Sequence, residues 1–221
     1  MFYNYGYGDI FNQSLYRAEM PKLVSYIRLF NASPDSSAFD IYANDALIGK
    51  NLSFKQFTNY LSLPSGDYVI KVFPSGKTTS PILNRTLEIP PNSILTAAVV
   101  NKVDNLSLLP VFEPHMSLNP TMTFMRFVQL SPDAPEVDVS LPNGQKLFKD
   151  LEYKDITGYM ILPPGNYTLL VKVEDTEKVI LTVPKVIIKP NRFYTMYMVG
   201  LSLGTPGLQI VEALDGLSYI K

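Results

Sequence analysis

At 221 residues and 46% hydrophobic, with a formal charge of −1, the chain is long enough for two small cores and carries no electrostatic footprint for a nucleic-acid backbone. It contains no cysteine, which excludes disulfides, thiolate metal sites and cysteine nucleophiles. No stretch holds the ~18 apolar residues that span a bilayer, and no nucleic-acid partner is expected.

The chain opens with a segment, residues 1–22, in which Tyr3, Tyr5, Tyr7 and Tyr16 stand with Phe2 and Phe11 among glycines and few aliphatics. It lacks the positive and apolar regions of a secretory signal, so synthesis without a classical export signal is expected. Such a tail would fray, pack on the first folded domain, or add to a neighbour's edge strand and make a homo-oligomer.

From Val24 the reading is β throughout. Val24 to Phe30 is an apolar run stopped by Ser33-Pro34-Asp35, and Phe39-Asp-Ile-Tyr-Ala43 alternates with period two. Asn44-Asp45 signals a hairpin. Asp67 to Phe73, Ser93 to Val100 and Leu106 to Phe112 complete the first set. A Pro-bounded stretch, 114–120, then reads as a linker holding the single histidine, His115.

The remainder repeats the first half. Tyr26-Ile-Arg-Leu-Phe-Asn-Ala-Ser-Pro-Asp35 aligns with Phe124-Met-Arg-Phe-Val-Gln-Leu-Ser-Pro-Asp133, an offset of 98 residues (126 less 28). Tyr60-Leu-Ser-Leu-Pro-Ser-Gly-Asp-Tyr68 aligns with Tyr159-Met-Ile-Leu-Pro-Pro-Gly-Asn-Tyr167, an offset of 99 (167 less 68). Thr96 matches Thr195 at the same offset. About seven short strands per copy, with turns every 8–12 residues, predict an all-β protein: two tandem Ig-like antiparallel β-sandwich domains with a short N-terminal tail. The boundaries read as 1–22 tail, 23–113 domain 1, 114–120 linker and 121–221 domain 2.

The residues that could carry chemistry recur in both copies. Asp35 and Asp40 in one copy, and Asp133, Glu136 and Asp138 in the other, fall in the same loop-to-strand segment, where clustered oxygens could hold Ca²⁺ or a carboxylate pair could serve a hydrolase. The structural reading has Asp35 and Asp133 capping turns, and Asp40 and Asp138 pairing across strands with Arg28 and Arg126. Tyr68 and Tyr167 are expected to form tyrosine corners, Gly relieving a positive φ beside each. Tyr42, Phe54 and Tyr153 are the aromatics that could stack on sugar rings. No catalytic residue, resident metal or cofactor is assigned, because one histidine cannot serve a Ser-His-Asp triad in each copy.

The pattern Arg-x-x-x-x-Ser-Pro-Asp, followed by an Asp-flanked strand and then Tyr-x-x-Leu-Pro-x-Gly-x-Tyr, resembles the bacterial domain-of-unknown-function family 4397 over roughly residues 23–113 and 121–217. The resemblance implies an Ig-like sandwich of a kind found singly or in tandem in bacterial surface or secreted proteins, with no activity attached. The chain departs from exported members in lacking a signal, and Asp175-Thr-Glu-Lys178 stands where the first copy has Ser75-Gly-Lys-Thr78. The expected function is a non-enzymatic structural or adhesion module of a bacterial cell or spore surface with a protein or glycan partner. A carbohydrate-binding module is the alternative, and a hydrolase using the paired carboxylates comes after it.

Overall fold

A computed structural model describes residues 23–113 and 116–220; the tyrosine-rich segment and His115 lie outside them. The first domain holds β1 (Val24–Asn31), β2 (Phe39–Ala43), β3 (Ala46–Leu52), β4 (Leu61–Pro64), β5 (Gly66–Pro74), β6 (Leu83–Ile89), β7 (Ile94–Val100) and β8 (Ser107–Glu113). The second holds β9 (Thr123–Gln129), β10 (Val137–Ser140), β11 (Lys146–Leu151), β12 (Met160–Leu162), β13 (Gly165–Val173), β14 (Val179–Ile188), β15 (Arg192–Val199) and β16 (Gln209–Leu214). The second copy therefore reproduces the first strand for strand, with eight strands in each.

Every domain is a sandwich of two four-stranded sheets. Domain 1 stacks β4-β1-β7-β8 on β3-β2-β5-β6, and domain 2 stacks β12-β9-β15-β16 on β11-β10-β13-β14. Pairing is antiparallel except at one place per copy, where β1 runs parallel to β7 and β9 parallel to β15. Turn chemistry sets the hairpins: Asn44 and Asp45 both take positive φ (45° and 69°), the primed turn that suits two twisted strands.

Alternation fills the two sandwich interiors. Ile27 and Leu29 of β1 meet Ile41, Ile70 and Val72 in the first core; Met125 and Phe127 of β9 meet Val139, Leu169 and Val171 in the second. The two tyrosines at the sheet corners donate to backbone four residues upstream, Tyr68 to Pro64 O at 2.8 Å and Tyr167 to Pro163 O at 2.7 Å. Beside them, Gly66 has φ 143°, whereas Gly165 takes no positive φ. It is needed instead because a Cβ there would lie 3.3 Å from the Tyr167 ring.

A third core lies between the domains. Phe30, Ala98, Val100 and Val111 of domain 1 pack against Val128, Tyr197, Val199 and Ala213 of domain 2, all buried. The sheets β4-β1-β7-β8 and β12-β9-β15-β16 thus meet face to face, and the chain is a stack of four sheets with three apolar layers. This explains why β7, β9 and β15 are buried along nearly their whole length: one face serves the sandwich, the other serves the second domain.

Candidate functional site between the domains

Strands β1 and β7 place Arg28 and Thr96 on the inter-domain face; β9 and β15 place Arg126 and Thr195 on the opposing one. In each copy the arginine Nε donates to its threonine, Arg28 to Thr96 at 2.7 Å and Arg126 to Thr195 at 2.9 Å. The guanidinium then crosses into the other domain. Arg28 Nη1 donates to Leu214 O at 2.8 Å and Nη2 to Asp215 at 3.1 Å, while Arg126 Nη1 donates to Phe112 O at 2.7 Å. The expected pairing of Arg28 and Arg126 with Asp40 and Asp138 is corrected here. Strand pairing puts the arginines on the inner sheets and the aspartates on the outer ones, and alternation turns both away from the core between them.

Two tyrosines and two carboxylates complete the cluster. Tyr60, just before β4, lies under the Arg28 guanidinium with its ring centroid 4.8 Å away, and Tyr159, just before β12, lies under Arg126 at 4.7 Å. Tyr60 donates a short hydrogen bond to Glu113 at the end of β8, and Tyr159 donates to Asp215 after β16 at 2.5 Å. Asp215 also accepts from Thr195 at 2.7 Å, and Glu113 accepts from the Gly216 N–H at 2.8 Å. The arrangement is pseudo-two-fold: each domain supplies an arginine, a tyrosine, a threonine and an acid, and Arg28 is shared across the boundary.

Burial governs the electrostatics. Loss of water, and then the Asp215 charge, push the Glu113 carboxyl up to about 7. Burial likewise drives the Tyr60 and Tyr159 hydroxyls above the ordinary phenol range, helped by Glu113 and Asp215 respectively, so both remain donors at neutral pH. Perturbed groups of this kind mark catalytic clefts, but they also mark structural ion-pair networks. Arg28, Glu113 and Asp215 are at most 4% exposed between the two packed sheets, where their contacts tie one domain to the other.

Gly216 is where the closing turn, Gly216–Ser218, meets domain 1. A Cβ there would lie 2.6 Å from Ile220 Cδ1, 3.0 Å from Ile94 Cγ2 and 3.2 Å from the Tyr60 ring. Gly216→Ala is expected to wedge the domains apart at a cost of about 1–3 kcal/mol, read as a lower Tm in thermal melts.

The aspartates singled out in the sequence tie separate loops together, so that Asp35 and Asp133, expected to cap their own turns, reach instead to loops 68 and 69 residues away. Asp35 accepts from Val103 N–H at 3.0 Å, and Asp133 from Ser202 N–H at 2.7 Å. Asp40 accepts from the N–H groups of Asn51 and Gly76, both at 2.8 Å, and those bonds hold its carboxyl below the usual range. Asp138 accepts from Asp150 N–H at 3.2 Å and pairs with Lys146 at 2.5 Å. The three aromatics lie apart. Tyr42 meets Phe73 edge-on at 5.5 Å, Phe54 packs against the inter-domain core, and Tyr153 is in domain 2, its hydroxyl pushed by burial to about 12.

Acidic side chains do gather once among the described residues. Oxygens of Glu136, Asp150 and Glu174 lie within 4.8 Å of one another in domain 2, where domain 1 has Ala38, Asn51 and Ser75. Three side chains fall short of the roughly six to eight oxygens Ca²⁺ takes. Desolvation and then Glu136 hold Glu174 above the usual carboxylate range, so its ionisation at neutral pH works against folding. Glu174→Gln is expected to raise Tm in EDTA, and chelation is expected to leave the native chain's Tm unchanged. Melts with and without CaCl₂ check both, and a Ca²⁺-dependent rise in Tm would make the trio a metal site.

A surface hollow of about 530 Å³ runs between the edge strands β6 and β8 and is lined by Arg85, Leu87, Pro90, Leu108, Pro110 and Phe112. Phe112 is 42% exposed there.

Sequence reasoning found the arginines, Thr96/Thr195 and Tyr60/Tyr159 as matched pairs, but not Glu113, Asp215 or the meeting of the copies. One signal was available. Ile94 to Val100 and Phe193 to Val199 are apolar at almost every position instead of alternating, the mark of a strand buried on both faces.

The profile of a domain of unknown function, DUF4397, matches residues 25–140 and 139–216. Among curated proteins none matches. Solved structures similar to the chain include the Bacillus anthracis TIE protein (14% identity, TM-score 0.25, covering 85% of this chain and 34% of that one). Another is the family CBM26 module CBMbc of Eubacterium rectale Amy13K in complex with maltoheptaose (10% identity, TM-score 0.26, covering 88% and 99%). A third is a leucine-rich repeat protein from Bacteroides thetaiotaomicron (14% identity, TM-score 0.19, covering 78% and 25%). The chain spans about a third of the length of the first and a quarter of the third.

Proposed function

The chain belongs to the DUF4397 family of domains of unknown function, and from there we propose that it is a non-enzymatic structural and interaction module of a bacterial cell or spore surface. The observation that carries this reading is the buried Arg28–Asp215 cluster with its apolar surround. It joins the two domains and engages Arg28, Tyr60, Tyr159, Glu113 and Asp215 in bonds between elements of the fold. Asp35, Asp40, Asp133 and Asp138 are tied into backbone N–H groups, which supports a non-catalytic role. Edge strands β6 and β8, with the apolar groove between them, are the kind of surface through which such modules engage partners. Immunogold labelling and fractionation of the producing cells test the reading. Signal on the envelope or spore layers is expected; signal confined to the cytosol overturns it.

A further inference from the structure

The two copies also differ on the outer face of the outer sheet, beneath the turn that follows β5 or β13. In domain 1, Tyr42 of β2 and Phe73 of β5 meet edge-on with centroids 5.5 Å apart, leaving a hollow of about 160 Å³ shared with Asp45, Lys71 and Thr78. In domain 2, Ser140 stands at the position of Tyr42 and Lys172 at that of Phe73. The registers agree, since Asp40 lies opposite Phe73 and Asp138 opposite Lys172. Removing two rings opens the hollow to about 280 Å³.

What remains in domain 2 is polar and built. Lys146 pairs with Asp138 at 2.5 Å, and Lys172 pairs with Glu177 at 2.5 Å. Ser140, only 2% exposed, borders the hollow, and its hydroxyl, itself shielded from solvent, has no hydrogen-bond partner among the described residues. A buried hydroxyl left so costs roughly 1–3 kcal/mol and calls for an acceptor or donor from elsewhere.

We propose that this hollow, bounded by Ser140, Lys146, Lys172 and Thr176, is a binding site for a small neutral polyhydroxylated ligand, a single sugar ring or cyclitol. Each vicinal hydroxyl both donates and accepts, so it can enter between a lysine and its carboxylate and leave both satisfied. An anion would meet Asp138, Asp175 and Glu177, and a cation would meet two ammonium groups. An apolar molecule would desolvate two ion pairs with nothing returned. The volume sits just below the usual ~300–1,000 Å³ range of ligand pockets, which suits one ring. The site is independent of the cell-surface reading and stands whether or not that reading does.

The test uses the ¹⁵N-labelled full chain and amide spectra. Glucose, galactose, mannose, N-acetylglucosamine and myo-inositol are titrated in turn, with inorganic phosphate and CaCl₂ as separate arms. Saturable shifts centred on Ser140, Lys146, Lys172 and Thr176 are expected with at least one polyol, at a Kd on the order of millimolar, as befits a small polar ligand. Ser140→Tyr with Lys172→Phe, which installs the first copy's own residues, is expected to abolish them. Ser140→Ala, which keeps the fold, is expected to weaken binding about two- to tenfold. The proposal is overturned if no polyol shifts these amides, if only phosphate or Ca²⁺ does, or if the Ser140→Ala affinity equals that of the native chain.

Discussion

Asp215→Ala is expected to destabilise the chain by about 3–5 kcal/mol, the usual result of removing one partner from a buried ion pair. Three donors lose their acceptor at once: Arg28 Nη2, the Tyr159 hydroxyl and the Thr195 hydroxyl. Arg28 is left as a buried cation facing Glu113 at 3.9 Å as its remaining acid. For a chain of this size the loss corresponds to a fall in Tm of roughly 10 °C. Because the damage lies between the domains, calorimetry of the variant should resolve two transitions where the native chain shows one. The double variant Arg28→Met, Asp215→Leu removes both charges together and should recover most of the loss. A double variant no more stable than Asp215→Ala would mean that the apolar contacts, and not the ion pair, hold the domains together.

Raising the pH from 5 to 8 is expected to weaken the folded state through Glu113. Its carboxyl is pushed from 4.5 to about 7 in the folded chain, first by burial and then by Asp215. A raised carboxyl means that the folded state holds the proton more tightly than the unfolded one. The associated stability is therefore complete below about 4.5 and is lost as pH climbs through about 7. At about 1.4 kcal/mol per pH unit the whole effect is roughly 3 kcal/mol. Asp40 and Asp138 act in the opposite sense, since their carboxyls are held below the usual range; their stabilisation is present above 3.8 and lost on further acidification. The stability optimum should accordingly lie in mildly acidic solution. Urea melts across this range check it, with Glu113→Gln as control: the variant keeps the acceptor for Gly216 N–H and should lose most of the dependence between pH 5 and 8.

The local features were legible because their causes are local. Ser-Pro-Asp ends a strand, Asn44-Asp45 turns a hairpin, and a tyrosine two residues past Gly66 reaches back to Pro64 O through a few bonds of chain. The domain repeat was equally plain, since order and spacing are properties of the string. The partners of Arg28 were not. Asp215 is 187 residues away, and no periodicity ties the two together. Asp40, close in sequence and opposite in charge, offered a nearer partner, but its strand lies across the first core on the outer sheet. For the surface aromatics, sequence pointed to Tyr42 as a sugar platform, whereas edge-on packing with Phe73 partly fills that hollow and leaves the larger one in the second copy.

By itself, then, the sequence determined the all-β class, the duplication and the corner tyrosines, because alternation, turn residues and spacing act over a few residues at a time; it indicated about seven strands per copy where the fold has eight. Only the tertiary structure decided that the copies stack into four layers and that Arg28, Glu113 and Asp215 converge in a buried cluster. The reason is physical: an apolar face states that it must be covered, but what covers it depends on which surface of matching shape the folded chain brings against it.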